Sequence, residues 1–481
     1  MDELEQIIDR SRDLNEIISD LMVKSTNPPS WEKLKEVLYA FNHKIAGDDS
    51  GRVDIIHDDG TVDEAAQIPL GLEELLINRI NQFMHTIPVK REYQNIEDVD
   101  VRQEIAKAIE KIYEEADIDT INMDRGLAYF AACEMFTLWY AVKKKNNIYG
   151  FESDYKLKCK VYSPMLDNVE LYPLLDEMDD MIAMSFKYRK KVGNKDLEFF
   201  ETYTDKKKYK WVRGENGKWE DVIFYADAEG NVTYGDDIVI MKIPGVYAWR
   251  KRPTYKPGSC ELREDVEYTH SRDSDITAWN ATPLLKVAGM VEGDTDKEEA
   301  RRIIRVENTG DVSYVSWDQS GEANEKHINR SLSFFWQINQ MADISVDRMI
   351  QLNSIGYDAR MTIFIDVFLK IGEESKPLLQ AYRREGNVIK AFLKIMNPKW
   401  ADEVDNVRIK HIITPYIPKD EMQEIEKRMK ANGGKAIESH LESIIRYGKS
   451  KDAKATLKEI QAEQTEETKS TISSLFQEGA V

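Results

Sequence analysis

The stretch from Lys326 to Met396 constrains the fold most, because it spells out a fixed local order of helix, exposed loop and long helix. Ile328, Leu332, Phe335, Ile338 or Asn339, and Ala342 recur at spacings of three and four, so they share one stripe of an amphipathic helix. Met349 to Asp358 then places Asn353, Ser354 and Gly356 where a helix disfavours them, which predicts a loop. From Ala359 the helical pattern resumes through Met361, Ile363, Phe364, Ile365, Val367, Phe368 and Leu369. It continues past a break expected at Gly372 to Pro377, until Asn397-Pro398 ends it.

Size bounds the rest. At 481 residues, 42% of them hydrophobic, the chain has material for two to four domains. A net charge of −20 argues against a tight non-specific nucleic-acid binder, which gains affinity by releasing phosphate counterions with Lys and Arg. It does not exclude a protein that surrounds DNA without gripping it. Cys133, Cys159 and Cys260 are too few and too scattered for a disulfide framework or a metal ribbon, and fit a reducing compartment. Met1 to Gln6 is acidic with no apolar segment, and no run approaches the ~18 apolar residues of a membrane span, so a soluble chain without its own export signal is expected.

In chain order, residues 1–46 read as helical, with Ile7, Ile8, Leu14, Ile17, Ile18, Leu21 and Met22 as a stripe and Ser30 as a cap for a second helix to Ile45. Gly47 to Asp63 is a loop or hairpin. Helices are expected near Gly71–Thr86, Asp98–Ala116 and Met123–Lys145, the last apolar enough to sit inside a domain. Between Leu157 and Ile243 the pattern changes to short aromatic and β-branched segments separated by turns such as Gly214 to Gly217, an antiparallel meander. Its aromatics could form a ligand face, but a half-buried sheet accounts for them. A proline-punctuated linker, Arg250 to Gly258, follows; its Arg250, Lys251, Arg252 and Lys256 could touch phosphate or form a solvated face. Ser259 is expected to cap a helix with Leu262, Val266, Ile276 and Trp279. Pro283–Val291, Arg302–Glu307 and Val312–Trp317 read as strands, the last two joined by Asn308-Thr-Gly310, in a small β unit that needs strands from neighbouring chains. Val407–Thr414 is a strand, and helices are expected at Asp420–Ala431, Ala436–Arg446 and from Lys451 past Gln464, with a charged tail that frays. The fold class is therefore α+β, predominantly helical.

Catalytic equipment is not evident. Gly433-Gly-Lys435 lacks the earlier glycine and the following Ser or Thr of a phosphate loop, there is no Gly-x-Gly-x-x-Gly or His-Glu-x-x-His, and His270, His327, His411 and His440 have no triad or zinc spacing. Asp176, Asp179 and Asp180 could hold two Mg2+ ions for nucleic-acid cleavage, although an acidic turn between strands explains them too. Glu292 to Glu299 is like a calcium loop only superficially, because Arg305 falls where the closing Glu belongs. The expectation is no enzyme, no cofactor and no metal.

Taken together, this order of segments resembles the portal protein of tailed bacteriophages, siphophage type. The residues that carry the resemblance are Ser345 to Ala359 with Asn353-Ser-Ile-Gly356, Tyr382 to Lys390 in the long helix, Ile413-Thr-Pro-Tyr-Ile-Pro418 with Lys419-Asp-Glu421, and Ile68-Pro-Leu70 with Thr86-Ile-Pro88. Ser259-Cys-Glu261 departs from the family's Ser-Asp pattern, and Gly372 and Pro377 interrupt the long helix, where a kink is expected.

The resemblance implies a wing over 1–257, stem helix one over 258–281, and a β clip over 282–325. It continues with stem helix two over 326–344, a tunnel loop over 345–360, a long kinked helix and wing return over 361–414, and a crown over 415–481. It also implies a homo-oligomeric ring, usually of twelve subunits, at one capsid vertex of the virion, assembled in the host cytoplasm. Double-stranded DNA would pass through it non-specifically in packaging and ejection, driven by a separate terminase, with major capsid, scaffolding and tail adaptor proteins as partners and no membrane. In that frame Arg348, Gln351, Asn353, Ser354, Tyr357 and Arg360 are candidates to face DNA from the tunnel loop. Arg305, Glu307, Asn308, Asp311, Tyr314 and Trp317 are candidates for adaptor docking on the clip. The competing classes are a metal-dependent nucleic-acid-processing enzyme built on Asp176–Asp180 and a monomeric scaffold or adaptor.

Overall fold

The computed structural model describes residues 3–9, 11–23, 54–56, 58, 60, 62–97, 99–166, 169–178, 180–223, 225–226, 232–233, 235–250, 252–280, 284–288, 291–292, 305–306, 311–315, 321–343, 362–416, 439–447 and 453–478. It is a mixed helix and sheet fold. Two short helices, α1 (Glu3–Ile7) and α2 (Leu14–Val23), precede a small hairpin of β1 (Ile55–Ile56) and β2 (Val62–Asp63). Next come α3 (Leu72–His85), β3 (Lys90–Gln94), α4 (Asp100–Glu115) and α5 (Ile118–Ala132). Helices α3 and α4 form because apolar residues recur on one face. Leu72, Leu76, Ile77, Ile80, Phe83 and Met84 in the first, and Ile105, Ile109, Ile112 and Tyr113 in the second, are buried in a common core. Each fully buried aliphatic side chain contributes about 1.5–3 kcal/mol.

The helix expected over Met123–Lys145 is corrected here. It stops at Ala132, Cys133 adopts a left-handed backbone (φ 61°), and β4 (Glu134–Asn146) begins. Both elements are buried where they meet, so the run from Leu127 to Tyr140 is apolar apart from Glu134 and Thr137 and carries no clear period to tell helix from strand. Strand β4 is central in a three-stranded antiparallel sheet, paired on one side with β5 (Ser153–Tyr162) and on the other with residues Gly245–Trp249.

The meander follows as expected, with shifted ends: β6 (Glu170–Leu175), β7 (Met181–Val192), β8 (Lys195–Tyr203), β9 (Lys207–Arg213) and β10 (Trp219–Asp221) pair in sequence order. Then come the short pair β11 (Tyr225–Ala226) and β12 (Val232–Thr233), and β13 (Asp236–Asp237), which pairs with β9. Alternate residues serve opposite faces of the large sheet. Leu174, Ala183, Phe200 and Trp211 pack against α1 and α2, whereas Leu171, Met184, Phe186 and Tyr203 join Phe136, Leu138 and Tyr247. Ring contacts such as Tyr162 on Phe186, at 4.6 Å between centroids, show the aromatics consumed by packing.

Strand β14 (Gly245–Trp249) lies between the expected meander and the Arg250–Gly258 linker, where the sequence analysis assigns no element, and pairs with β4. After it come α6 (Ser259–Asn280), β15 (Leu284–Ala288), β16 (Val291–Glu292), β17 (Arg305–Val306), β18 (Asp311–Val315) and α7 (Gly321–Ile338). The long helix α8 spans Ile365–Met396 without the expected break: Gly372 and Pro377 both lie inside it. Burial of Ile371, Ser375, Leu378, Ala381 and Tyr382 on both sides of the proline holds the helix together, and Ser375 Oγ donates to the Gly372 carbonyl at 3.2 Å. Strand β19 (Arg408–Ile412) then pairs antiparallel with β3, a partner the sequence does not announce.

A separate unit contributes α9 (His440–Tyr447) and α10 (Ala453–Glu478). The first opens with a capping box: the Glu442 amide donates to Ser439 Oγ at 3.2 Å and the Ser439 amide to the Glu442 carboxylate at 3.0 Å. The expected helices at Trp31–Ile45 and Asp420–Ala431 lie outside the described residues.

Candidate functional site

Helices α6 and α7 run antiparallel as a hairpin, and polar contacts fix their register. Asn339 donates to Ser259 Oγ at 2.9 Å, Ser331 Oγ and His327 Nε2 reach Asp265 at 3.0 and 2.8 Å, and Asn324 donates to Asp273. The same antiparallel register continues past the helices: β15 pairs with β18 (Leu284 opposite Val315) and β16 with β17 (Val291 opposite Val306). The register differs by two residues between these two short two-stranded ladders. This corrects the expected pairing across Asn308-Thr-Gly310. Strands β17 and β18 are arms that pair with β16 and β15, not with each other. Ser259 is also not a cap. It is the first residue of α6, after Gly258 at φ +87°, and its buried hydroxyl accepts from Asn339.

The hairpin is rooted in the core by buried polar groups. Lys370 of α8 donates to the carbonyls of Asn339 at 2.7 Å and Thr254 at 3.1 Å, tying both arms to the long helix. Burial pushes its ammonium down to about 8, with Glu374 opposing. Arg250 and Thr254 both reach Glu374, at 2.9 Å. On α6 one buried stripe is Ser259, Arg263, Glu267 and Ser271, all polar, with Val266 and Thr269 buried beside it. Arg263 sits among Glu73 at 3.0 Å, Glu264 at 3.2 Å and Glu267 at 3.7 Å.

Beside it, an extended segment is strapped along α6. The amides of Leu70, Ile68 and Ala66 donate to Glu267 (2.6 Å), Ser271 (3.0 Å) and Asp275 (2.9 Å). Four helical residues rise about 6 Å and two extended residues about 6.6 Å, so i, i+4, i+8 side chains match every second amide.

Helix α8 is joined to α5 by a second buried pair. Arg125 and Glu385, 1% and 3% exposed, form a two-point contact, to which Asn122 (3.1 Å to Arg125) and the Trp139 indole N–H (2.6 Å to Glu385) add. His85 bridges Asn81 (2.7 Å) and Tyr382 (3.2 Å) alongside, and burial lowers its imidazole to about 4.

The structure places Arg305 in β17 opposite Glu292, Asp311 in β18 opposite Ala288, and Tyr314 opposite Leu285. Glu307, Asn308 and Trp317 lie outside the described residues, as do Arg348, Gln351, Asn353, Ser354, Tyr357 and Arg360. Asp176 is occupied in a turn: its carboxylate accepts the amides of Met178 and Asp180, both at 2.8 Å, and its own amide donates to the Asp180 carbonyl. Asp179 lies outside the described residues. Among the described residues no group of three or more His, Cys, Asp or Glu could hold a metal ion, and no helix is long and apolar enough to cross a membrane. The root residues Lys370, Arg263 and Arg125 are not flagged by sequence patterns, since a buried charge reads like a solvated one until its partner, far away in the chain, is known.

Residues 27–239 match the family model of phage portal protein, SPP1 Gp6-like, in agreement with the resemblance read from the sequence. That match supports a phage portal role. No curated protein sequence matches the chain. Among solved structures, a chain described as "Virion of native gene transfer agent (GTA) particle" aligns over 90% of this chain and 98% of that one, at 9% identity and a TM-score of 0.38. A likeness that low carries no weight for fold or function.

Proposed function

We propose that this chain is the structural subunit of the portal ring at one vertex of a phage capsid, the channel through which DNA is packaged and ejected. The observation that carries it is the family match over 27–239, followed in the chain by a rooted helical hairpin that bears two short β ladders at its far end. In this reading the wing is 1–257, the stems 258–281 and 326–344, the clip 282–325, the tunnel loop 345–360, the long helix and wing return 361–414 and the crown 415–481. The ring takes about twelve copies, as the resemblance implies. A separate terminase supplies the motor, and tail adaptors dock on the ladders through Arg305, Asp311, Tyr314 and their neighbours.

The physics follows from charge and edges. Helix α6 carries Glu261, Glu264, Asp265, Glu267, Asp273 and Asp275 against Arg263 and Arg272. A sleeve of such helices repels a duplex and leaves few counterions to release, so DNA slides without traps. Gln351, Asn353 and Ser354 would then touch phosphates as neutral hydrogen-bonding brakes. The two-stranded ladders have open backbone edges, and strands from neighbouring subunits would pair with them.

Negative-stain imaging and mass photometry of the purified full chain test this. The expected result is closed rings at a multiple of 55.7 kDa. A chain that stays a single subunit at all concentrations and with capsid proteins present would refute it. Mg2+-dependent DNA cleavage lost on substitution of Asp176 and Asp180 would transfer the chain to the enzyme class.

A further inference from the structure

Outside the hairpin and its root, a cavity of about 310 Å³ opens between α8 and the paired strands β3 and β19. Its wall is Arg383, Gly386, Asn387 and Lys390, which at spacings of three and four share one face of α8. Gln94 and Arg408, opposite each other in the ladder, close it with Ile409. Gly386 lets the strand come close: a Cβ there would meet Ile409 Cδ1 at 3.1 Å.

The lining holds three cations and two amides, and no carboxylate or aromatic ring. Lys390 is only 8% exposed, and neither it nor Arg383 nor Arg408 forms an ion pair among the described residues. The nearest acid, Asp405, is held by Lys394 at 2.5 Å. Burial lowers the proton affinity of the Lys390 ammonium; Asp405 opposes this, and Lys394, Lys242 and Arg408 add repulsion. Asp405 is the acid that acts on Lys390, and it is already bonded to Lys394, so an oxyanion in the cavity would accept from Lys390 and from the two guanidiniums beside it. With no ring to stack a base, the site selects the anion and not a nucleoside.

We propose that this cavity is a binding site for a phosphate-class oxyanion, held by Lys390, Arg383 and Arg408 with Gln94 and Asn387 as neutral donors. It is independent of the ring reading, since every residue belongs to one subunit.

Calorimetric titration of the full chain with sodium phosphate, against sodium chloride at equal ionic strength, tests it. One phosphate per chain is expected, with affinity reduced at least about tenfold in Lys390→Met and in Arg408→Gln, the loss of a charge-assisted hydrogen bond. Lys390→Met removes a buried charge and should keep its circular dichroism; if it does not fold, Arg408→Gln, an exposed position, decides. A short DNA duplex that displaces the phosphate makes phosphodiesters the source, and a duplex that does not makes it the free anion; both uphold the site. Phosphate binding no better than chloride, or equal in both variants and the parent, overturns it. Loss of self-association in the variants without any phosphate binding also overturns it, and assigns the cavity to a carboxylate of a second copy.

Discussion

Glu385→Gln separates the buried pair from its surroundings with the least change of shape. The amide keeps an oxygen for the Trp139 indole, so the change falls on Arg125, left 1% exposed with Asn122, the Tyr382 ring and the neutral amide as partners and no carboxylate. Burial alone works against its charge, and Glu385 more than offsets that, holding the guanidinium above its ordinary value. Removing one member of such a pair is worth about 3–5 kcal/mol. Against a typical domain stability of about 5–15 kcal/mol, that is a large fraction. Glu385→Ala should lose more, since Trp139 also loses its acceptor, a further ~1–3 kcal/mol. The apolar double variant Arg125→Met with Glu385→Leu should recover most of the loss, because neither charge is then stranded. Urea unfolding followed by tryptophan fluorescence gives the values. A loss below about 1 kcal/mol for Glu385→Gln would refute the claim that this pair carries α5 onto α8.

Four further outcomes follow. Glu134 is buried with a single side-chain donor, the Tyr247 hydroxyl at 2.7 Å, and burial raises its carboxyl to about 8; the folded state keeps a proton the unfolded state releases near 4.5. Its contribution therefore falls as pH rises from about 4.5 to about 8, by on the order of 5 kcal/mol, and Glu134→Gln should flatten the urea midpoint across that window. Gly126→Ala drives a Cβ to 1.9 Å from Asn81 Oδ1 and 2.8 Å from His85, and thermal melts should show a loss of about 3 kcal/mol or more. Glu267→Met, Ser271→Ala and Asp275→Ala combined remove all three acceptors and should release the strap, with faster hydrogen exchange at Ala66, Ile68 and Leu70 and about 1 kcal/mol lost per bond. Phe334→Ser, at a side chain 47% exposed on α7, should leave subunit stability within about 0.5 kcal/mol while reducing ring formation seen in negative stain.

Where apolar residues fall on one face, the elements were legible: α3, α4 and the meander lie where their periodicity puts them. The misplaced boundary at Cys133 came from a run with no polar face at all, and β14 was hidden by prolines on both sides, at Pro244 and Pro253. Strand β3, Lys-Arg-Glu-Tyr-Gln, is polar because it lies half exposed beside β19, so alternation could not announce it. The stripe that α6 buries, Ser259, Arg263, Glu267 and Ser271, escapes a search for hydrophobic spacing altogether.

That polar stripe bears on why the hairpin would belong in an assembly. Among the described side chains of α6, Val266 is the buried hydrophobic one, and α7 adds Phe335 and Trp336 near the root. Farther out, the arms are joined by contacts such as Asn324 to Asp273 and Ser331 to Asp265, each worth about 0.5–1.5 kcal/mol net, or somewhat more where charge assists. Ordering a residue's backbone costs about 1–2 kcal/mol, so such bonds alone give a thin margin along the arms. Tyr268, Phe334 and Ile338 remain exposed on the same two helices. A neighbouring copy that covered them would supply the apolar burial the single hairpin lacks, while the carboxylates of α6 that are not engaged at the root stay in water. Stability of the arms and closure of the ring would then be one free energy. An acidic, sparsely packed hairpin would suit a channel wall because its rigidity comes from the assembly and not from the subunit.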